Sequence, residues 1–167
     1  SSAASDVYKR QADYRVVLWD FGAKENILRE LTKRGCDVYD ATASTTADEI
    51  LALDPDGIML SNGPGNPEDN ARVIEELKKL AVAKRPIFGI CLGHQLLAIA
   101  RGAKTGKMKY GHRGANQPVK DLETGRIYIS SQNHGYEVLR ESLPAGAEET
   151  FINVNLSLIH ISEPTRQ

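Results

Sequence analysis

Along the chain the spacing of hydrophobic positions changes period at definite places, and those changes mark out the elements. Tyr14-Arg15-Val16-Val17-Leu18-Trp19 is β-branched and apolar, and predicts a first strand ending at Asp20. Phe21-Gly22-Ala23-Lys24-Glu25-Asn26 is a polar turn. Ile27-Leu28-Arg29-Glu30-Leu31 then has helical spacing, with Lys33 and Arg34 closing it and Gly35 suited to the C-cap. Cys36-Asp37-Val38-Tyr39 predicts a second, short strand in which Cys36 is a packing residue. Thr46-Ala47-Asp48-Glu49 is a capping box for a helix through Leu53, and Asp54-Pro55-Asp56 ends it. Gly57-Ile58-Met59-Leu60 is apolar throughout, as a central parallel strand is. Residues 71–80 carry Val73, Ile74, Leu77 and Leu80 on one helical face and Glu75, Glu76, Lys78 and Lys79 on the other. Pro86–Ile90 enters a further strand, and Leu96-Leu97-Ala98-Ile99-Ala100 leaves it as helix. Alternating strands and helices predict an α/β fold: an open, mostly parallel sheet flanked by helices.

After Gly102 the pattern becomes β-rich. Gln117–Asp121 and Arg126–Ser130 read as a hairpin around Glu123-Thr124-Gly125. Gln132-Asn133-His134-Gly135-Tyr136 reads as a loop feeding a strand near Glu137–Leu139, and Phe151–Val154 as one more strand. His112 falls in a Gly-rich stretch that reads as loop.

Composition narrows the class. The chain has 167 residues, 41% hydrophobic and 26% charged, which is the profile of one globular domain. A net charge of −1 leaves no electrostatic footprint for nucleic acid or a membrane surface. No apolar run approaches the roughly 20 residues of a membrane span. Two cysteines, Cys36 and Cys91, cannot form a disulfide framework, which predicts a reducing, cytoplasmic setting. Zinc spacing is absent and no metal site is expected. Residues 1–11 and 157–167 resemble translated sequencing-adapter sequence, so the native domain is expected over residues 12–156, truncated at its C-terminal end.

The chemistry concentrates at Gly89-Ile90-Cys91-Leu92-Gly93, a Gly-x-nucleophile-x-Gly pattern between a strand and a helix. Such a turn is tight, and glycines two before and two after the nucleophile remove side chains that would collide. Cys91 then stands at a helix N-terminus, where N–H groups and the helix dipole favour a thiolate. A buried structural cysteine is the plainer reading, but it leaves the two glycines without a purpose. In open α/β sheets ligands sit beyond the carboxyl ends of the strands, and Ser61-Asn62-Gly63-Pro64-Gly65-Asn66-Pro67 falls at that same edge. A cysteine attacking a carbonyl needs a base and oxyanion donors. The Leu92 N–H is one such donor, and a glycine N–H from the Gly63/Gly65 loop could be the second, although Ser61–Pro67 also reads as a simple turn. It is not a phosphate loop: no Gly-Lys-Ser/Thr closes it, and its prolines remove donors. His94, three residues after Cys91 on the same helix, is placed to pack rather than to take the thiol proton. His134 is the remaining candidate base.

Phe88–Gln95 and Leu60–Gly65 resemble the class I (triad) glutamine amidotransferases. Asp20–Lys24, Lys107–Val119 and Ser131–Tyr136 resemble, within that class, the glutaminase domain of carbamoyl-phosphate synthase small chains. The resemblance covers Tyr14 to Leu156. It implies a flavodoxin-like, class I amidotransferase-like fold, with Cys91 attacking the carboxamide of L-glutamine to form a γ-glutamyl thioester. Leu92 and Gly63 would supply backbone contacts to the oxyanion or substrate, and Gly65, Gln95, Asn133, Gly135 and Tyr136 match positions that hold glutamine. His134 becomes a structural neighbour of that loop rather than the base. Ammonia would pass to a large subunit, where ATP and Mg are used; no cofactor is implied in this chain.

The family's base and its carboxylate partner come from a later His-Pro-Glu motif. This sequence has none, and His160-Ile161-Ser162-Glu163 has the wrong spacing. Losing such a base costs on the order of 10⁴–10⁶ in rate, so the chain as written is expected to hydrolyse little or no glutamine. Three alternatives remain at this level: the amidotransferase of another synthase, such as anthranilate or GMP synthase; an α/β-hydrolase with a cysteine nucleophile; and a non-catalytic relative that only binds a partner.

Overall fold

The computed structural model describes residues 12–154 and the backbone of 158–164. The leader at 1–11 lies outside the described residues, as do 155–157 and 165–167 and every side chain beyond residue 154. The parallel half runs β1 (Tyr14–Asp20), α1 (Glu25–Lys33), β2 (Cys36–Thr42), α2 (Ala47–Ala52), β3 (Gly57–Leu60), α3 (Ala71–Val82), β4 (Ile87–Gly89) and α4 (Leu92–Ala100). Its four strands form one parallel sheet in the order β2-β1-β3-β4. The predicted termini hold. Thr46 caps α2 by accepting from the Glu49 N–H at 3.2 Å. Gly35, at φ +82°, follows α1 and donates its N–H to the Thr32 carbonyl at 3.0 Å, a conformation that suits glycine.

Alternation along the strands decides what each face covers. Val17, Trp19, Ile58 and Leu60 point to one side, where Ile50 of α2, Val73, Ile74, Leu77 and Leu80 of α3, and Leu92 and Leu96 of α4 close over them. Leu18, Met59 and Phe88 are register partners on the opposite side. Leu18 is buried there, while Phe88 remains 53% exposed at the end of the row. The Trp19 indole donates to the Thr42 carbonyl at 3.0 Å, so its one polar group is satisfied inside the core.

The second half is a closed antiparallel sheet of β5 (Thr105–Asp121), β6 (Ile127–Val138), β7 (Ala147–Asn153) and β8 (Leu158–Pro164), ordered β5-β6-β8-β7 with β5 also paired to β7. The hairpin around Glu123–Gly125 is present, but two predicted loops are strand. Gln132–Tyr136 lies within β6, and His112 lies within β5. Local glycines and polar residues suggested loops because each segment was weighed alone. Paired with each other, the two strands satisfy their backbone groups, and register shifts at Lys107/His112 and Gly114/Gln117 absorb the irregularity.

Leu77 is fully buried in the core shared by the sheet and α2–α4. Leu77→Ala is expected to lower stability by about 2–5 kcal/mol, read as a reduced urea midpoint at an unchanged denaturant slope.

Candidate active site

The loops after β1, β3 and β4 meet at the carboxyl edge of the parallel sheet, and backbone contacts fix their spacing. The Ser61 N–H donates to the Trp19 carbonyl at 3.1 Å, and its hydroxyl accepts from the Phe21 N–H at 2.8 Å. The Ser61 carbonyl accepts from the Gly93 N–H at 3.1 Å. Ser61, fully buried, thus ties the first loop to the third strand and the third strand to α4. Asn62 adds two bonds, accepting from the Lys24 N–H and donating to the Gly22 carbonyl, each at 3.2 Å. Asp20 Oδ1 folds that first loop back by accepting from the Gly22 and Ala23 N–H groups at 2.7 and 2.6 Å. Sequence reasoning gave Ser61 and Asn62 no role; a polar pair directly after a wholly apolar strand was the available signal.

The turn into α4 is the strained elbow that the glycine pattern predicts. Cys91 sits at φ 52°, ψ −108°, a region that non-glycine residues rarely occupy. A Cβ on Gly93 would lie 2.5 Å from the Leu60 carbonyl oxygen, and one on Gly89 would lie 2.5 Å from the His94 nitrogen. Both glycines are therefore required by backbone contacts that cannot yield. Gly63 is pressed against Phe21 and Leu92, which places the β3 loop beside the residue after Cys91.

The electrostatics of the thiol differ from the expectation. Burial pushes the Cys91 thiol above its ordinary value; the Leu92 N–H and the Lys24 charge pull it down by less. The helix N-terminus acts in the predicted direction, but desolvation outweighs it. The protonated thiol is therefore favoured at Cys91, and its Sγ faces the Asn133 carbonyl oxygen at 3.9 Å. His94 lines the same cavity, with Nε2 buried and without a partner, and desolvation lowers it to about 4. A proton moving from Cys91 to so weak a base goes uphill.

A cavity of about 1090 Å³ opens beside Cys91, between the parallel sheet, α1 and β6. Of the predicted site residues, Cys91, Gly63, Gln95, Asn133 and Tyr136 line it. Leu92 lies beneath the elbow at 2% exposure, and Gly65 (φ +90°) and Gly135 are not among the lining residues. Gln95 is buried and donates Nε2–H to the Tyr136 carbonyl at 2.8 Å, so its side chain clamps β6 to α4. His134 is engaged at both ring nitrogens, by the Tyr136 carbonyl at 2.9 Å and by His112 Nδ1 at 3.1 Å. That matches a structural place in the site and not a free base. Among the described residues no group of three or more His, Cys, Asp or Glu side chains could hold a metal ion.

The strained cysteine elbow thus faces a glycine loop at the edge of a parallel sheet. The model of the class-I glutamine amidotransferases matches residues 17–167, and the chain belongs to that family. It is 58% identical over 142 residues to the carbamoyl phosphate synthase small chain of Symbiobacterium thermophilum, covering 84% of this chain and 39% of that protein. It is 54% identical over 144 residues to the carbamoyl phosphate synthase small chain of Pasteurella multocida, covering 86% and 37%. The chain thus spans less than two fifths of the length of these relatives. Among solved structures, a glutamine amidotransferase of Thermotoga maritima superposes with a TM-score of 0.61 at 21% identity, covering 88% of this chain and 69% of that one. One from Methylobacillus flagellatus gives 0.68 at 16% identity, covering 86% and 62%. At those identities the likeness establishes the fold.

Two measurements check the site. Gly93→Ala is expected to cost about 3 kcal/mol because its Cβ meets backbone, whereas Gly135→Ala, with open space around it, should change stability by less than about 0.5 kcal/mol; urea unfolding compares them. Because only the thiolate alkylates, the rate of Cys91 modification by iodoacetamide should keep rising about tenfold per pH unit past the ordinary thiol range, as followed by mass spectrometry from pH 6 to 10.

Proposed function

We propose that this chain is the glutamine-hydrolysing portion of a carbamoyl-phosphate synthase small chain, serving arginine and pyrimidine synthesis in the cytoplasm. The observation that carries this reading is the Cys91 elbow seated against Gly63, with Asn133 and Tyr136 across the same cavity. Cys91 sulfur attacks the carboxamide carbon of L-glutamine once its proton has gone to a base. The carbonyl oxygen becomes an oxyanion held by the Leu92 and Gly63 N–H groups, where preorganised donors stabilise developing charge. The C–N bond then breaks, ammonia leaves with an added proton, and a γ-glutamyl thioester remains for water to hydrolyse. Gln95, Asn133 and Tyr136 line the substrate's place, and Gly65 and Gly135 belong to the loop and strand that carry lining residues. Ammonia passes to a large-subunit partner, where ATP and Mg are used. No nucleic acid or membrane takes part.

Among the described residues no uncommitted base faces Cys91. His94 is too weak an acceptor, and both nitrogens of His134 are committed to neighbours. The chain by itself is therefore proposed to bind and react at Cys91 without sustained turnover. A chloroketone analogue of glutamine should label Cys91, L-glutamine should protect it, and Cys91→Ala should abolish labelling. Ammonia release from glutamine should stay at the Cys91→Ala background. Labelling that glutamine does not slow would overturn the substrate assignment, and steady ammonia release would overturn the absence of a base.

A further inference from the structure

His112 has no part in the chemistry above, yet it is 3% exposed and sits directly opposite His134 in the β5–β6 register. Its ring meets that of His134 edge-on, with centroids 4.9 Å apart and planes at 76°. Its Nδ1 is 3.1 Å from His134 Nε2. On the far side of that ring, His134 Nδ1 is 2.9 Å from the Tyr136 carbonyl oxygen, which also accepts Gln95 Nε2–H at 2.8 Å. The backbone is equally close here: a Cβ on Gly111, at φ +67°, would lie 2.7 Å from the His134 carbonyl oxygen.

Proton bookkeeping orders these contacts. A carbonyl oxygen only accepts, so His134 Nδ1 carries a hydrogen. In the singly protonated ring Nε2 then offers a lone pair, and His112 Nδ1–H must donate to it. Gln132 Oε1 approaches the same Nε2 at 3.4 Å, too long to reverse an order set at 2.9 Å. Burial, and then His134, push His112 below its ordinary value, which keeps its ring neutral.

We infer that His112 is a positioning residue for the glutamine site: by donating to His134 Nε2 it fixes the tautomer that grips the Tyr136 carbonyl, and so holds Asn133–Tyr136 of β6 at the right distance from Cys91. Gln95 on the elbow helix grips the same carbonyl, so the two elements that frame the substrate share one acceptor. This rests on the glutaminase reading of the site.

The experiment uses the full chain, with His112→Phe, which keeps an aromatic ring and loses the donor, and His112→Asn, whose amide nitrogen stands the same number of bonds from Cα as Nδ1. Cys91 is labelled in parallel with the glutamine-analogue chloroketone and with iodoacetamide. Loss of one neutral hydrogen bond predicts a fall of about five- to tenfold in the analogue-to-iodoacetamide rate ratio in His112→Phe, with most of it restored in His112→Asn. A ratio unchanged in folded His112→Phe overturns the inference. Imidazole ¹⁵N spectra of the wild-type chain give an independent readout: a hydrogen on His134 Nδ1 supports the inference, and one on Nε2 alone overturns it even if neither variant folds. If wild-type Cys91 shows no preference for the analogue, the glutaminase reading fails and the positioning role falls with it. The ¹⁵N spectra would then still report whether His112 sets the tautomer.

Discussion

The contact on which the site depends is between two backbones. Gly93 at the start of α4 lies so close to the end of β3 that even a methyl group would strike the Leu60 carbonyl. Its N–H is spent on the Ser61 carbonyl one residue further on. A helix can be held this tightly against a strand end only where there is no side chain between them. Because Ser61 also bonds the Phe21 N–H and the Trp19 carbonyl, one buried hydroxyl residue sets the relative height of three loops. Gly63 is delivered against Leu92 by the same arrangement.

That closeness has an energetic cost. Cys91 adopts a backbone conformation of the kind that costs about 1–3 kcal/mol and persists only where its surroundings over-determine it. The surroundings here are the apolar face of the sheet, with Leu60 and Trp19 packed against Leu92 and Leu96 of the elbow helix. Strain at Cys91 and burial beneath it are thus one design: the core that stabilises the domain also sets Cys91 at the wall of the cavity.

Burial has a second effect, on protons. It raises the Cys91 thiol and lowers His94, so the two groups that share the cavity are both driven toward their neutral forms. The cavity is thus kept free of buried charge at these two groups. His134, the other imidazole lining the cavity, is spent on architecture, joining β6 to β5 through His112.

Periodicity and glycine placement by themselves settled the parallel half of this protein. Each strand from Tyr14 to Gly89 and each helix from Glu25 to Ala100 is a local consequence of apolar spacing, capping residues and turn glycines, all of which act within a few positions. The elbow was legible from the Gly89–Gly93 spacing, because Gly89 answers to Gly93 and His94 within five residues, although the demand on Gly93 comes from Leu60 across the fold. Only the folded chain decided the rest. Gln132–Tyr136 and His112 became strand because their partners lie some twenty residues away, and register shifts that no local pattern encodes made the pairing possible. The raised thiol of Cys91 likewise followed from what other elements laid over it, as a helix terminus acts through one turn while desolvation is set by the whole packed site.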